Sequence, residues 1–240
     1  MWTSSTRRSA LALAAFAVVL AGAPLPFATA ATATCFGQPV TMAGTAGDDR
    51  LTGTTGTRDV IFGAGGNDVI IGGDFDAATG EPDLLCGGSG DDFIRGGLGD
   101  DKVRGGPGDD RVNGSNGADL ALGDRGNDIV GEGSFADADS VDDIARGGPG
   151  DDIVLGGFGR DRLYGGAGAD QVLDLECDGP TLLSGGDGSD QLESWTSSFE
   201  GDEQPCTQVV DQVGGGAGQD TAKVDRRDSV TGVEAVTRVG

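Results

Sequence analysis

The sequence predicts a repeat protein rather than a helical bundle, and three observations lead to this fold class. Glycine supplies 47 of the 240 residues, against a usual share of about 7%. Aspartate supplies 33 of the 40 acidic residues and glutamate only 7, so the chain uses the short carboxylate selectively. Both glycine and aspartate are poor helix residues, which excludes a helical bundle. The third observation is a nine-residue period in which glycine and aspartate recur in phase.

Residues 1–30 have the features of a secretory signal peptide. Arg7 and Arg8 give a positively charged start, residues 10–22 form an uncharged apolar run, and residues 28–30 supply a small-residue cleavage site. We therefore expect a secreted, extracellular protein, and the sequence leaves open whether it stays at the cell surface. No other stretch is apolar over the length that a membrane span needs.

The charge and the missing histidine exclude several classes of function. The net charge is −24, and nucleic-acid binding needs clustered lysine and arginine, so we expect no nucleic-acid partner. The chain has no histidine, which removes the commonest general base and the zinc site of HExxH proteases. It also lacks the G-x-S-x-G nucleophile elbow. We therefore predict that the protein is not an enzyme.

The nine-residue period is continuous over two long runs. From Gly87 the chain reads GGSGDDFIR, GGLGDDKVR, GGPGDDRVN, GSNGADLAL and GDRGNDIVG, and from Gly147 it reads GGPGDDIVL, GGFGRDRLY and GGAGADQVL. Glycine recurs at positions one and four, aspartate at position six, and mostly an aliphatic residue at position eight. Four constraints held in phase over consecutive units indicate one structural repeat.

These nonamers resemble the GGxGxD nonapeptides of the RTX, or haemolysin-type, calcium-binding repeat family. The resemblance covers nearly all of the chain after residue 30. It implies an all-β fold, a parallel β-roll, in which six residues form a calcium-binding turn and three form a short strand. Two nonamers then make one coil, so that successive turns alternate between the two edges of the roll.

The chemistry of the repeat supports that implication. Glycine permits positive φ and lets carbonyl oxygens converge, and aspartate adds an anionic oxygen, which together suit Ca²⁺. The alternative is a solvated turn aspartate that hydrogen-bonds its own backbone. Position eight is expected to face the thin interior, and its residues in the two runs include Ile94, Val103, Val112, Val130, Val154, Leu163 and Val172.

Extending the phase gives about seventeen units over residues 44–223. A capping segment, 31–43, precedes them and a C-terminal cap, 224–240, follows. The units begin at residues 44, 53, 63, 72, 87, 96, 105, 114, 123, 132, 147, 156, 165, 174, 185, 194 and 215. Every unit that departs from nine residues is even-numbered. We call the edge formed by the odd units the odd edge and the other the even edge, and we expect all insertions on the even edge.

Position six supplies the candidate metal ligands. On the odd edge they are Asp49, Asp68, Asp92, Asp110, Asp128, Asp152, Asp170, Asp190 and Asp220, and on the even edge Asp101, Asp119 and Asp161. These residues predict about nine Ca²⁺ ions, eight of them on the odd edge. Asp83 and Asp143 end units with insertions and are weaker candidates, while unit fourteen has Thr181 at this position and is expected to bind nothing.

Four cysteines in an exported chain predict disulfides. Three pairings are open, and the repeat favours Cys35 with Cys86 and Cys177 with Cys206. Cys177 and Cys206 fall in even units fourteen and sixteen, which lie in adjacent coils. For the other pair, the lead segment is expected to fold back along the even edge to reach Cys86.

Two functions follow from these features. The first is a secreted calcium-binding protein in which bound Ca²⁺ drives folding outside the cell. The alternative is a calcium-dependent adhesion or surface-binding module with a cell-surface or glycan partner. The insertions carry aromatic residues that either form a recognition strip or pack each loop against the roll: Phe75, Phe135, Trp195 and Phe199.

Overall fold

The structure is a computed structural model, and it describes residues 33–73, 80–131, 141–174, 179–194 and 210–239. Within these ranges the chain forms strands and turns but no helix. It follows that these ranges hold no helix long and apolar enough to cross a membrane. The proposed signal peptide, 1–30, lies outside the described residues.

Twenty strands form two parallel sheets of ten strands each. The strands of the first sheet are β3 (Met42–Ala43), β5 (Val60–Gly65), β7 (Leu84–Ser89), β9 (Lys102–Pro107), β11 (Leu120–Arg125), β13 (Ile144–Pro149), β15 (Arg162–Ala167), β17 (Leu182–Gly188), β19 (Gln212–Gly218) and β21 (Ser229–Thr231). The strands of the second sheet are β4 (Arg50–Thr52), β6 (Val69–Ile71), β8 (Phe93–Leu98), β10 (Arg111–Asn116), β12 (Ile129–Gly131), β14 (Ile153–Leu155), β16 (Gln171–Asp174), β18 (Gln191–Ser194), β20 (Thr221–Asp225) and β22 (Ala235–Val239).

Consecutive strands alternate between the two sheets, so each coil contributes one strand to each. In the second sheet, for example, Ile94 pairs with Ile70 on one side and with Val112 on the other. Turns of the odd edge lead into the second sheet, and turns of the even edge lead into the first. The all-β parallel β-roll and the alternation of its turns are therefore confirmed.

The interior is a double stack of aliphatic side chains from position eight. All seven interior residues expected from the two runs are buried, with exposed fractions of 0–2%. The same core includes Ile61, Ile70, Leu85, Ala121, Ala145, Leu183, Leu192, Val213 and Ala222. Burying a valine, leucine or isoleucine side chain contributes about 1.5–3 kcal/mol. The hydrophobic stack fixes the register of each strand.

The lead segment lies on the outer face of the first sheet. Strands β1 (Thr34–Cys35) and β2 (Gln38–Pro39) form an antiparallel hairpin, and Cys35 forms a disulfide with Cys86. The bridge is buried with Val60 and Leu84. The predicted pairing is confirmed, but the predicted path along the even edge is wrong. Cys86 follows the core residue Leu85 in an extended strand, so its side chain points outward, away from the core.

Residues 224–239, from the proposed C-terminal cap, extend both sheets. Val230 of β21 pairs in parallel with Val213, and Val236 of β22 pairs in parallel with Ala222. Val236 is 41% exposed because no further coil in the described residues covers it.

Candidate metal-binding edges

The nine candidate aspartates of the odd edge form one continuous column. At each step the backbone amide of one aspartate donates a hydrogen bond of 2.7–3.0 Å to Oδ1 of the aspartate in the next coil. The column runs through Asp49, Asp68, Asp92, Asp110, Asp128, Asp152, Asp170, Asp190 and Asp220. At its end the amide of Asp220 donates to Oε2 of Glu234 at 2.7 Å, so a glutamate that the sequence analysis did not identify closes the column.

The second carboxylate oxygen of these residues has a different environment. Oδ2 is buried and accepts no hydrogen bond from the described residues in eight members of the column: Asp68, Asp92, Asp110, Asp128, Asp152, Asp170, Asp190 and Asp220. Buried polar atoms in proteins almost always have a hydrogen-bond partner, because leaving one without a partner costs free energy. A cation between neighbouring turns, or a proton on each carboxyl group, would satisfy these eight atoms.

Glycine at position one keeps the space beside Oδ2 open. A Cβ atom on Gly63 would collide with Oδ2 of Asp68 and with the carbonyl oxygen of Gly87 in the next coil. A Cβ on Gly165 would meet Oδ2 of Asp170 and a backbone carbonyl in the same way. Only glycine leaves this space to oxygen atoms.

Backbone carbonyls at positions two and four also approach the neighbouring coil. The carbonyl oxygen of Gly88 lies against Gly106, and that of Gly90 lies against Gly108. Gly106 and Gly108 have φ of 125° and 145°, which an L-residue rarely adopts. The gaps between turns are therefore bordered by carboxylate and carbonyl oxygens, the hard ligands that Ca²⁺ prefers.

No three acidic or cysteine side chains of the described residues converge as a compact metal cage. This agrees with the repeat, because each coil contributes one position-six carboxylate per edge. A cation between two turns would draw its other ligands from backbone carbonyls. A calcium site therefore needs two stacked turns, because one turn alone does not supply enough ligands.

Burial raises the pKa of seven odd-edge carboxyl groups, and neighbouring carboxylates raise it further: Asp68, Asp92, Asp110, Asp128, Asp152, Asp170 and Asp190. The pKa is raised to about 6 for Asp92, Asp128 and Asp152 and to about 7 for Asp110 and Asp170. The hydrogen bond from the backbone amide of the preceding coil opposes this shift. The raised pKa values show that the carboxylate form is disfavoured in the roll unless a cation balances its charge.

The even edge carries a second column, which the insertions do not interrupt. Amide-to-Oδ1 hydrogen bonds of 2.7–2.9 Å connect Asp59, Asp83, Asp101, Asp119, Asp143 and Asp161 in that order. Asp101, Asp119 and Asp161 are the residues that the sequence analysis selected. The structure adds Asp83 and Asp143, the weaker candidates, and Asp59, which was not considered.

Strand stacking explains why the even-edge column survives its insertions. Asp83 precedes Leu84 and Asp143 precedes Ile144, the first residues of their strands, whose position is fixed by pairing with neighbouring coils. Extra residues earlier in a turn do not move its last residue. Counting two residues back from each buried aliphatic residue would have identified these aspartates, whereas counting forward from the glycines did not.

The even edge changes after Asp161. Thr181 takes the place of the next aspartate, and its amide donates to Oδ1 of Asp211 at 2.9 Å. The amide of Asp211 donates in turn to Oδ1 of Asp228 at 3.1 Å. Neither Asp211 nor Asp228 was selected from the sequence, because the irregular spacing of these units hides their position.

A column at position five serves a different purpose. Here the amide of the later coil donates to Oδ1 of the earlier one, as from Asp109 to Asp91 and from Asn127 to Asp109. Asn67 accepts in the same way from Asp91 at 3.0 Å. Where this exposed position accepts a hydrogen bond, the chain uses asparagine as well as aspartate, so the contact needs an acceptor and not a charge.

Two expectations fall on residues outside the described ranges. Cys177 and Cys206 are not described, so their pairing stays a prediction. The insertion aromatics Phe75, Phe135, Trp195 and Phe199 are not described either, and the surface-binding alternative stays a prediction.

A family model for the RTX calcium-binding nonapeptide repeat, which spans four copies, matches residues 43–76, 79–112, 87–121, 95–130 and 137–172. These five matches, three of which overlap, cover about half of the chain. No curated protein matches it. The matched stretches contain the stacked turns whose glycines border the buried carboxylates. The chain belongs to the RTX calcium-binding nonapeptide repeat family.

Proposed function

We propose that this protein is secreted and binds calcium ions between its stacked turns, and that the bound calcium holds the roll folded outside the cell. The observation that supports this most directly is the odd-edge column of buried Oδ2 atoms, which accept no hydrogen bond from the described residues. A divalent cation in each gap would neutralise two neighbouring carboxylates and complete its ligand set with carbonyl oxygens.

Electrostatic repulsion makes the folding of the roll depend on these cations. Neighbouring coils lie about 4.8 Å apart, and two carboxylates at that distance repel by roughly 3 kcal/mol at an effective dielectric constant near 20. The net charge of −24 adds to this repulsion. Because the gaps exist only when coils are stacked, calcium binds the folded state and shifts the equilibrium towards it.

The proposed ligands are the twelve aspartates selected from the sequence together with Asp59, Asp83 and Asp143. The nine odd-edge turns enclose eight gaps. The six even-edge turns from Asp59 to Asp161 enclose five. The even edge therefore has room for more ions than the one that its regular units predicted.

Two features support a role outside the cell. Residues 1–30 have the pattern of an export signal, and the Cys35–Cys86 disulfide suits an oxidising compartment. Export of an expanded chain followed by folding in extracellular calcium is consistent with both. The proposed function includes no catalytic step.

A calcium titration tests the proposal. The chain from Ala31 onward, with its disulfides formed, would be titrated from excess chelator while far-UV circular dichroism and calorimetry are recorded. We expect a steep transition to β-structure that coincides with the binding of several ions. Mg²⁺ is the matched control, because it keeps its waters and prefers strict octahedral sites. A roll that is fully formed and equally stable in chelator would refute the proposal.

A further inference from the structure

We infer that the last two even-edge turns, which end at Asp211 and Asp228, are held together by the chain's own side chains in place of calcium. This inference rests on the proposed function for the other turns. It concerns two turns that end in aspartate but whose surroundings do not fit a cation.

Position one distinguishes these turns from those of the odd edge. All odd-edge turns have glycine there, and its missing side chain leaves the space beside Oδ2 open. On the even edge the corresponding residues of the last two turns are Ser194 and Val224, which pair with each other in the second sheet. The Ser194 side chain enters the space that glycine leaves open in the odd-edge turns.

The Ser194 hydroxyl supplies a hydrogen bond to Oδ2 that eight of the odd-edge aspartates do not receive from the described residues. It donates to Oδ2 of Asp211, and its oxygen also lies 3.4 Å from Oδ2 of Asp228. The backbone amide of Asp225 donates to the same Oδ2 of Asp228 at 2.8 Å. Both carboxylates therefore have protein donors on the oxygen that would otherwise face a cation.

An arginine supplies positive charge at the end of this edge. Nη1 of Arg238 donates to the carbonyl oxygens of Asp225 at 2.9 Å and of Asp228 at 3.3 Å. A guanidinium is always protonated and has donors only. The Arg238 side chain therefore hydrogen-bonds to two backbone carbonyl oxygens at the end of the even edge. These oxygens would otherwise be available to another coil or to an ion.

The turn that ends at Asp228 is also shorter than a regular turn. Three residues lie between Val224 and Asp228, whereas four lie between Gly96 and Asp101. The shorter turn closes on itself, since Asp225 contacts Asp228 through its amide. It therefore lacks one of the backbone carbonyls of a regular six-residue turn.

The opposite edge of the same coils gives an internal comparison. Asp190 and Asp220 have glycine at position one, Gly185 and Gly215, and their Oδ2 atoms are buried without a hydrogen-bond donor among the described residues. The last coils therefore combine a calcium-dependent odd edge with a calcium-independent even edge. Calcium removal should leave the Ser194 contacts in place, together with the amide-to-Oδ1 hydrogen bonds and the strand pairing of these coils.

Two substitutions of one residue test the inference. Ser194→Gly removes the hydroxyl and opens the space, whereas Ser194→Ala removes the hydroxyl and keeps the space filled. Native mass spectrometry would count the bound calcium ions, and circular dichroism would give the calcium concentration at the folding midpoint. We expect Ser194→Gly to bind one ion more than the wild-type chain. We expect Ser194→Ala to bind the same number but to fold at a several-fold higher calcium concentration.

Ser184→Gly is the matched control, because Ser184 follows the core residue Leu183 in β17 and points to the outer face. Its ion count should equal that of the wild-type chain. An unchanged ion count in Ser194→Gly, or an unchanged midpoint in Ser194→Ala, would overturn the inference. If the wild-type chain bound no calcium, the proposed function would fail. Denaturant unfolding would then test whether the Ser194 hydroxyl stabilises the roll. An unchanged midpoint for Ser194→Ala would show that it does not.

Discussion

The backbone amide of Asp92 donates a 2.7 Å hydrogen bond to Oδ1 of Asp110, eighteen residues later in the chain. Oδ2 of the same Asp110 is buried and accepts no hydrogen bond from the described residues. One oxygen thus connects two coils of protein, and the other is available to a cation. This division explains why position six needs a carboxylate, although an amide oxygen would be sufficient to accept the hydrogen bond.

Asp110→Asn tests the charge directly. The asparagine side-chain oxygen can still accept from Asp92, but the negative charge between two gaps is lost. We expect the calcium affinity of the adjoining gaps to fall at least about tenfold, equivalent to about 1.4 kcal/mol. Isothermal titration calorimetry, together with the calcium midpoint of folding, measures this change.

Asp109→Asn is the matched control for this prediction. Asp109 precedes Asp110 and accepts from the amide of Asn127 at 2.8 Å. The chain itself places asparagine at the equivalent positions 67 and 127, so the exchange should leave calcium affinity nearly unchanged. Equal losses in the two variants would mean that general charge, rather than the buried carboxylate, controls binding.

The repeat made the fold and the odd edge predictable from sequence. Position eight identified buried residues such as Ile94 and Val112, and position six identified the whole column from Asp49 to Asp220. Both depend on local spacing, because a nine-residue unit returns each side chain to the same place in every second unit. Strict periodicity therefore carries three-dimensional information without any long-range contact being known.

Features that depend on long-range contacts were not predictable in this way. Asp83 and Asp143 keep their place because neighbouring strands fix the end of each turn, and the spacing within their own units hides this. Glu234 and Arg238 close the two edges only after the last strands have been added to the sheets. The position of Cys35 on the outer face depends on which side of the first sheet the hairpin covers.

The raised pKa values predict that acid displaces calcium and stabilises the calcium-free roll. Burial raises the pKa of Asp110 and Asp170 to about 7 in the folded chain, from the ordinary value of 3.8. The calcium-free folded state therefore binds protons more tightly than the unfolded state. This stabilisation is complete below about pH 4 and is lost as the pH rises through about 7.

In chelator, the β-structure measured by far-UV circular dichroism should increase as the pH is lowered from 8 to 5. Calcium affinity should fall over the same interval, because calcium competes with protons for the same carboxylates. Asp110→Asn should reduce the size of both effects, since it removes one of the groups with the highest pKa. Equal calcium affinities at pH 5.5 and 7.5 would contradict this prediction.

Loss of the Cys35–Cys86 disulfide should destabilise the protein without changing the calcium sites. The bridge joins residues 51 positions apart, and closing a loop of that size stabilises by about 4 kcal/mol in the chain-entropy model. The double substitution Cys35→Ser with Cys86→Ser should lower the free energy of unfolding by about this amount in saturating calcium. The double variant is preferable to chemical reduction, which would also act on Cys177 and Cys206. A lower calcium stoichiometry would show that the hairpin also organises the first turns.

Ala64→Gly should stabilise the roll, which is unusual for a change to glycine. Ala64 occupies position two of its turn with a φ of 84°, where Gly88 in the next coil has a φ of 123°. A left-handed conformation costs an L-residue roughly 1–2 kcal/mol, and glycine is free of most of that cost. Part of the gain is offset by the greater freedom of glycine in the unfolded chain, so we expect a net increase of about 1 kcal/mol.

Ala43→Gly is the comparison for this last substitution. Ala43 is an exposed strand residue that is not among the residues with positive φ, so glycine there should destabilise by about 0.5–1 kcal/mol. Denaturant unfolding of both variants in saturating calcium would give changes of opposite sign. A loss of stability in Ala64→Gly would mean that the Cβ of Ala64 makes favourable contacts that outweigh its backbone strain.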